Sequence, residues 1–146
     1  MRYLAISAYR RTSAMIECKT FDEAMRFAGL AAREVDFGRL GADLFIVVYE
    51  FGLDENHQPL MQYFGLAGNM YAGNALVYSV DASGATVDLK PEREWFEERL
   101  IWLGDSFMAE QAIQAGQVAR PTISVNGETV WQWRHIGGRS HMGAQV

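Results

Sequence analysis

Apolar and polar positions alternate with a period of two over residues 2–9. Leu4, Ile6 and Ala8 fall on one side, and Tyr3, Ser7 and Tyr9 on the other. That period predicts a strand, because successive side chains of an extended chain point to opposite faces. After the polar break Arg10-Arg11-Thr12-Ser13, residues 14–18 predict a short return strand. The period then changes: Phe21, Ala24, Met25, Ala28, Ala31 (or Ala32) and Val35 recur at helical spacing. Thr20 and Glu23 stand in the capping-box positions, where the Thr20 hydroxyl accepts from the Glu23 amide and the Glu23 carboxylate accepts from the Thr20 amide. Asp22 and Glu23 suit the positive end of the helix dipole, and Gly38 and Gly41 are expected to end the helix.

Residues 43–89 are four apolar runs separated by loops rich in Gly, Asn and Asp, which predicts an antiparallel meander. Residues 44–51 are apolar on both faces and belong in the middle of a sheet covered on both sides. Residues 60–66 are expected to pair back on them, after an acidic loop holding Asp54, Glu55 and His57. Residues 75–80 and 85–89 complete the meander around a turn at 81–84. Pro91 then opens a second helix, with Phe96, Leu100, Leu103 and Phe107 at i, i+4, i+7 and i+11 and with Trp95 and Trp102 widening the face. Gly104-Asp105 is expected to kink or divide this helix before it stops at Gly116.

The strongest local signal is Asn126-Gly127 between two strand-like runs at 122–133, the preferred type I′ hairpin turn. A two-residue turn pairs Val125 with Glu128, Ser124 with Thr129, Ile123 with Val130 and Thr122 with Trp131. Ile123, Val125 and Val130 then share a face that reads as the core side. Trp131 and Trp133 share the other with Thr122, Ser124, Thr129 and Arg120. Residues 137–146 lack periodicity and read as a flexible tail. The pattern as a whole predicts one α+β domain over residues 1–136: an antiparallel meander sheet packed by two amphipathic helices, with a C-terminal β-hairpin.

Composition agrees with a folded domain. With 146 residues, 49% of them hydrophobic and 21% charged, the chain is long enough to bury roughly 68–70% of its unfolded surface without a disulfide or metal. The single Cys18 permits a reducing compartment. No signal-peptide pattern and no long apolar run is found, so a soluble cytoplasmic protein without membrane contact is expected. The net charge of −5 is uneven: residues 1–117 carry 10 basic and 17 acidic side chains, and residues 118–146 carry three Arg against Glu128. Direct nucleic-acid binding is not expected of so acidic a body, because phosphates would be repelled.

Candidate chemistry is sparse. The doubled Ala-Gly-Asn at 67–69 and 72–74 supplies residues tolerant of positive φ, whose amides could nest an anion. The competing reading is a plain strand connection, since the Lys-Ser/Thr of a phosphate loop is absent. His57, His135, His141 and Cys18 have no ligand spacing, so neither metal nor cofactor is expected. No nucleophile elbow occurs, and no catalytic residue is assigned. Glu94, Glu97 and Glu98 read as a solvated helix face, or as an acidic strip able to cover a basic protein surface. Trp131 and Trp133 with Arg120 and Arg134 have hot-spot composition, against the alternative that the tryptophans are core.

Two functions follow as expectations. The first is a non-enzymatic interaction protein, an inhibitor or adaptor binding another protein through Trp131, Trp133, Arg120, Arg134 and the Glu94, Glu97 and Glu98 face. A partner that handles nucleic acid, as for a phage or bacterial counter-defence protein, would suit the acidic strip. The second is a small-ligand binder or enzyme using Asn69, Tyr71, Asn74 and His57.

Overall fold

The computed structural model describes residues 1–31, 33–49, 52–53 and 60–135. Their strands are β1 (Arg2–Ser7), β2 (Thr12–Glu17), β3 (Val35–Arg39), β4 (Leu44–Tyr49), β5 (Tyr63–Leu66), β6 (Asn69–Ala72), β7 (Asn74–Val80), β8 (Thr86–Val87), β9 (Leu100–Gly104), β10 (Thr122–Val125) and β11 (Glu128–Gln132). The helices are α1 (Phe21–Phe27), α2 (Arg93–Glu97) and α3 (Ser106–Gln114). All strand pairs are antiparallel. The larger sheet has the order β2-β1-β7-β4-β3 with β8 on β7; the second is β6-β5-β9, and β10-β11 stands as a pair. The expected α+β class, antiparallel sheet and C-terminal hairpin are all present.

Three buried clusters correspond to three interfaces between stacked layers. On one face of the larger sheet, Tyr3, Ile16, Val47, Leu76 and Tyr78 pack against Ala24 of α1 and Ala28 at its C-terminal cap. On its other face, Leu4, Ile6, Ile46, Ala75 and Val77 meet Phe64 and Leu66 of β5 and Phe96 of α2. The far face of the second sheet presents Tyr63, Met70, Ala72 and Leu103 to Ala109 and Ala112 of α3 and to Trp133. Because β4, β5 and the middle of β7 have a layer on each side, they carry apolar residues at successive positions. Burying each such Leu, Ile or Phe side chain stabilises the fold by about 1.5–3 kcal/mol.

Within residues 43–89 the pairing departs from a simple up-and-down order. β4 pairs β7, with Ile46 opposite Val77, while β5 leaves to pair β6 and β9 in the second sheet. A run apolar at every position carries no face preference, so pattern alone does not say which sheet it joins.

Helix α1 is shorter than its apolar spacing predicts. Thr20 Oγ1 accepts from the Glu23 amide at 3.1 Å, as the cap requires, but the Glu23 carboxylate accepts from the Lys19 amide at 3.2 Å. Gly29, at φ +77°, stops the helix. Its N–H donates to the Arg26 carbonyl, and the Leu30 N–H donates to that of Met25, the paired bonds of a Schellman terminus. The buried Leu30 anchors it. Val35, expected to end the helical stripe, instead opens β3 opposite Tyr49.

The second expected helix is interrupted. Leu100-Ile101-Trp102-Leu103 fits period two as well as period 3.6, and pairing with β5 decides for a strand. Leu100 and Trp102 pack on the inter-sheet core, and Leu103 on the α3 side. Gly104, at φ +76°, ends β9. Asp105 then caps α3, its carboxylate accepting from the Met108 amide at 3.0 Å.

The hairpin turn has φ +51° at Asn126 and +83° at Gly127, as type I′ demands. Val125 pairs Glu128 and Ser124 pairs Thr129 as expected, but the register then slips, placing Ile123 opposite Trp131 and Thr122 opposite Gln132. Val130 is the extra residue of a bulge. The expected tail, 137–146, lies outside the described residues. Among the described residues no helix is long and apolar enough to cross a membrane.

Candidate functional site

The hairpin is covered at its base rather than along the expected aliphatic face. Ile123, Val125 and Val130 are 52%, 54% and 61% exposed, whereas Trp133 is 1% exposed. Trp131 is half-buried against the same core as Trp133. The correction has a plain cause: the bulge at Val130 moves Trp131, and with it Trp133, to the side of the ribbon that carries Ile123 and Val125, and only the base of that side meets the second sheet and α3. The Trp133 ring meets Tyr63 edge-on at 6.1 Å and stacks near His135 at 6.2 Å. Burial pushes the Tyr63 phenol far above its ordinary pKa, with the Trp133 indole opposing the shift.

Arg120 is engaged inside the fold. Its Nη2 donates to Glu110 Oε1 at 3.0 Å and its Nη1 to the Trp133 carbonyl at 3.5 Å, clamping the base of the hairpin to α3. Arg134 is exposed. The hairpin is therefore a rod with a buried base at Trp133 and a bare tip. Every residue from 122 to 130 is exposed.

Glu94, Glu97 and Glu98 are exposed on α2, but two of the three have intramolecular partners: Glu97 pairs with Arg93 and Glu98 with Arg99. The Arg99 guanidinium also lies 4.0 Å from the Trp95 ring centre. This face carries mixed charge rather than a clean acidic strip.

The Gly/Asn segment does not gather its residues at one place. Ala67 (φ +52°) and Gly68 (φ +85°) form the tight turn between β5 and β6. The Ala67 N–H donates to the Arg99 carbonyl, and the Gly68 carbonyl accepts from Ala119, so this turn is tied into the fold. Asn69 and Tyr71 line an apolar groove of about 400 Å³ with Phe37, Ile46, Val48 and Arg120. Burial raises the Tyr71 pKa, opposed by a hydrogen bond with Asn69.

Asn74 instead lines two adjoining cavities, of about 400 and 330 Å³, with Tyr9, Gly29, Arg33, Tyr49, Met61 and Gly73. Spacing could not have linked these residues, because they come from five separate segments. His57 lies outside the described residues.

Cys18 is buried, and burial followed by the nearby Glu23 carboxylate raises its pKa, which keeps it a thiol near neutral pH. Among the described residues no group of three or more His, Cys, Asp or Glu side chains is placed to hold a metal ion. Compared with known proteins, the chain matches no family model, no curated sequence and no solved structure.

Proposed function

We propose that this chain is a non-enzymatic interaction protein, an inhibitor or adaptor, that docks on another protein through the tip of the β10–β11 hairpin. The observation that carries this reading is the exposure of Ile123, Val125 and Val130 on one projecting element. Three β-branched aliphatic side chains a little more than half exposed forgo roughly half of the 1.5–3 kcal/mol that full burial of each would give, a gain open to any surface that covers them. The pair also has an unpaired outer edge on each strand among the described residues. A partner strand can add there by backbone hydrogen bonding, with the aliphatic side chains setting specificity. Type I′ geometry and the Trp133 anchor hold the rod in shape before binding, which reduces the ordering cost of association. The ion pairs of Glu97 and Glu98 make α2 the weaker candidate surface, and with it a partner chosen for basic charge.

The test is affinity capture from the native cell, followed by rebinding of the captured protein in purified form. An Ile123→Asp/Val130→Asp double variant should retain its far-UV circular dichroism and lose the partner. Retained binding by that variant would sink the hairpin reading. Loss in a Glu94→Lys/Glu98→Lys variant alone would move the interface to α2.

A further inference from the structure

Gly73 is the corner at which the chain passes from the second sheet into the larger one, between β6 and β7. Its N–H donates to the Gln62 carbonyl at 2.9 Å, and its carbonyl accepts from the Ala8 N–H at 3.1 Å. The corner therefore holds the end of β1 against the start of the second sheet. Two cavities open beside it, and they share Tyr9, Gly29 and Asn74. Each is within or near the size range of small-ligand sites, roughly 300–1,000 Å³.

The lining has a charge opposite to that of the protein. Arg10 and Arg33 border the two cavities, and no Asp or Glu is among the described lining residues, in a chain of net charge −5. Arg33 makes no ion pair with a carboxylate among the described residues. Its guanidinium lies 5.6 Å from the centre of the Tyr49 ring, a contact that orients the planar fork. Arg33 is also close enough to Tyr9 to oppose the upward shift that burial imposes on that phenol.

The polar groups between the arginines are poorly satisfied. The Tyr9 hydroxyl donates to Met61 Sδ at 3.1 Å, a weak acceptor that an anionic oxygen would outcompete. Asn74 Oδ1 is buried and accepts no hydrogen bond among the described residues. An unsatisfied buried carbonyl oxygen costs about 1–3 kcal/mol, which a ligand donor would recover.

Two glycines let the lining side chains approach the backbone closely. A Cβ on Gly29 would lie 2.8 Å from Asn74 Nδ2, and one on Gly73 would lie 3.2 Å from Met61 Cε; both residues have positive φ. Phe27 and Met61 add apolar wall for a carbon skeleton.

We infer that this corner cleft binds a small organic anion, a phosphate monoester or carboxylate that also carries a hydroxyl or amino donor. Arg33 and Arg10 take the anionic head, Tyr9 donates to it, and Asn74 accepts from the ligand's donor. The inference is independent of the hairpin reading, since no lining residue comes from β10 or β11.

Isothermal titration calorimetry of the full chain tests it, with AMP, glycerol 3-phosphate, lactate, citrate and inorganic phosphate as probes. At least one organic probe should bind with a Kd below about 1 mM. Arg33→Gln should weaken it by about tenfold or more, with Arg10→Gln as the second exposed position and Asn74→Ala selective for probes bearing a donor. Ile123→Asp/Val130→Asp should bind the probe as the wild type does, so that failure of this site and failure of the hairpin reading are distinguishable. Absence of binding across the panel overturns the inference. So does equal affinity for inorganic phosphate alone, or an unchanged Kd in both arginine variants.

Discussion

The β4–β7 pair and the β10–β11 pair are built from the same materials and meet opposite fates. Both are antiparallel and rich in β-branched residues. In the first, Ile46, Val47, Leu76 and Val77 are fully buried; in the second, Ile123, Val125 and Val130 are more than half exposed. Strand propensity cannot account for the difference, because it measures the fit of a side chain to a pleated surface rather than what covers that surface. β4 and β7 have α1 on one side and the second sheet on the other. The hairpin has α3 and the second sheet at its base, and solvent around its tip. What separates buried from exposed strands here is the number of layers, not the residue type.

Mutations can break this comparison. The largest effect is expected at the anchors: Trp133→Ala should cost about 3–5 kcal/mol and Ile46→Ala about 2–5 kcal/mol in urea unfolding, as core truncations do. A Trp133→Ala loss below about 1 kcal/mol would show that the hairpin base is not core. Next in size is Thr20→Ala, which removes the acceptor for the Glu23 amide and should cost about 1 kcal/mol. At the tip, Ile123→Ser should change stability by no more than about 0.5 kcal/mol. A large loss there would mean that the aliphatic face is covered after all.

The smallest effect concerns pH. The Asp81 carboxyl is held below its ordinary pKa, chiefly by the Ser83 hydroxyl and then by the Ala85 amide. A depressed carboxylate stabilises above its unfolded pKa, and the contribution is lost as pH falls through the folded value. Asp81 should therefore titrate below an ordinary aspartate by NMR. Because the group is fully exposed, acid unfolding of Asp81→Asn should differ only slightly from the wild type.

Much of the local structure was legible. Alternation marked β1, two-faced apolarity marked β4 as internal, Thr20 marked a helix start, and Asn126-Gly127 marked its turn. Each of these is decided by groups within a few residues of one another. Elsewhere the local signal was ambiguous. Val35 fitted a helical stripe although Gly29 had already ended the helix, and Leu100 to Leu103 fitted two periods at once. On the hairpin, the uninterrupted register read from the turn missed the bulge at Val130, which brings the indoles to the side of Ile123 and Val125. The corner cleft had no sequence signal beyond Asn74, because Tyr9, Arg33, Tyr49 and Met61 meet only through sheet pairing.

By itself, the sequence determined the class of each strong element and the positions of its caps and turns, since those depend on backbone hydrogen bonds and φ preferences over short range. Only the tertiary structure decided which sheet β5 joined, how much of the hairpin was covered, and which arginines bordered the two adjoining cavities. Those outcomes depend on total apolar area buried and on contacts between distant segments, and no local pattern contains either quantity.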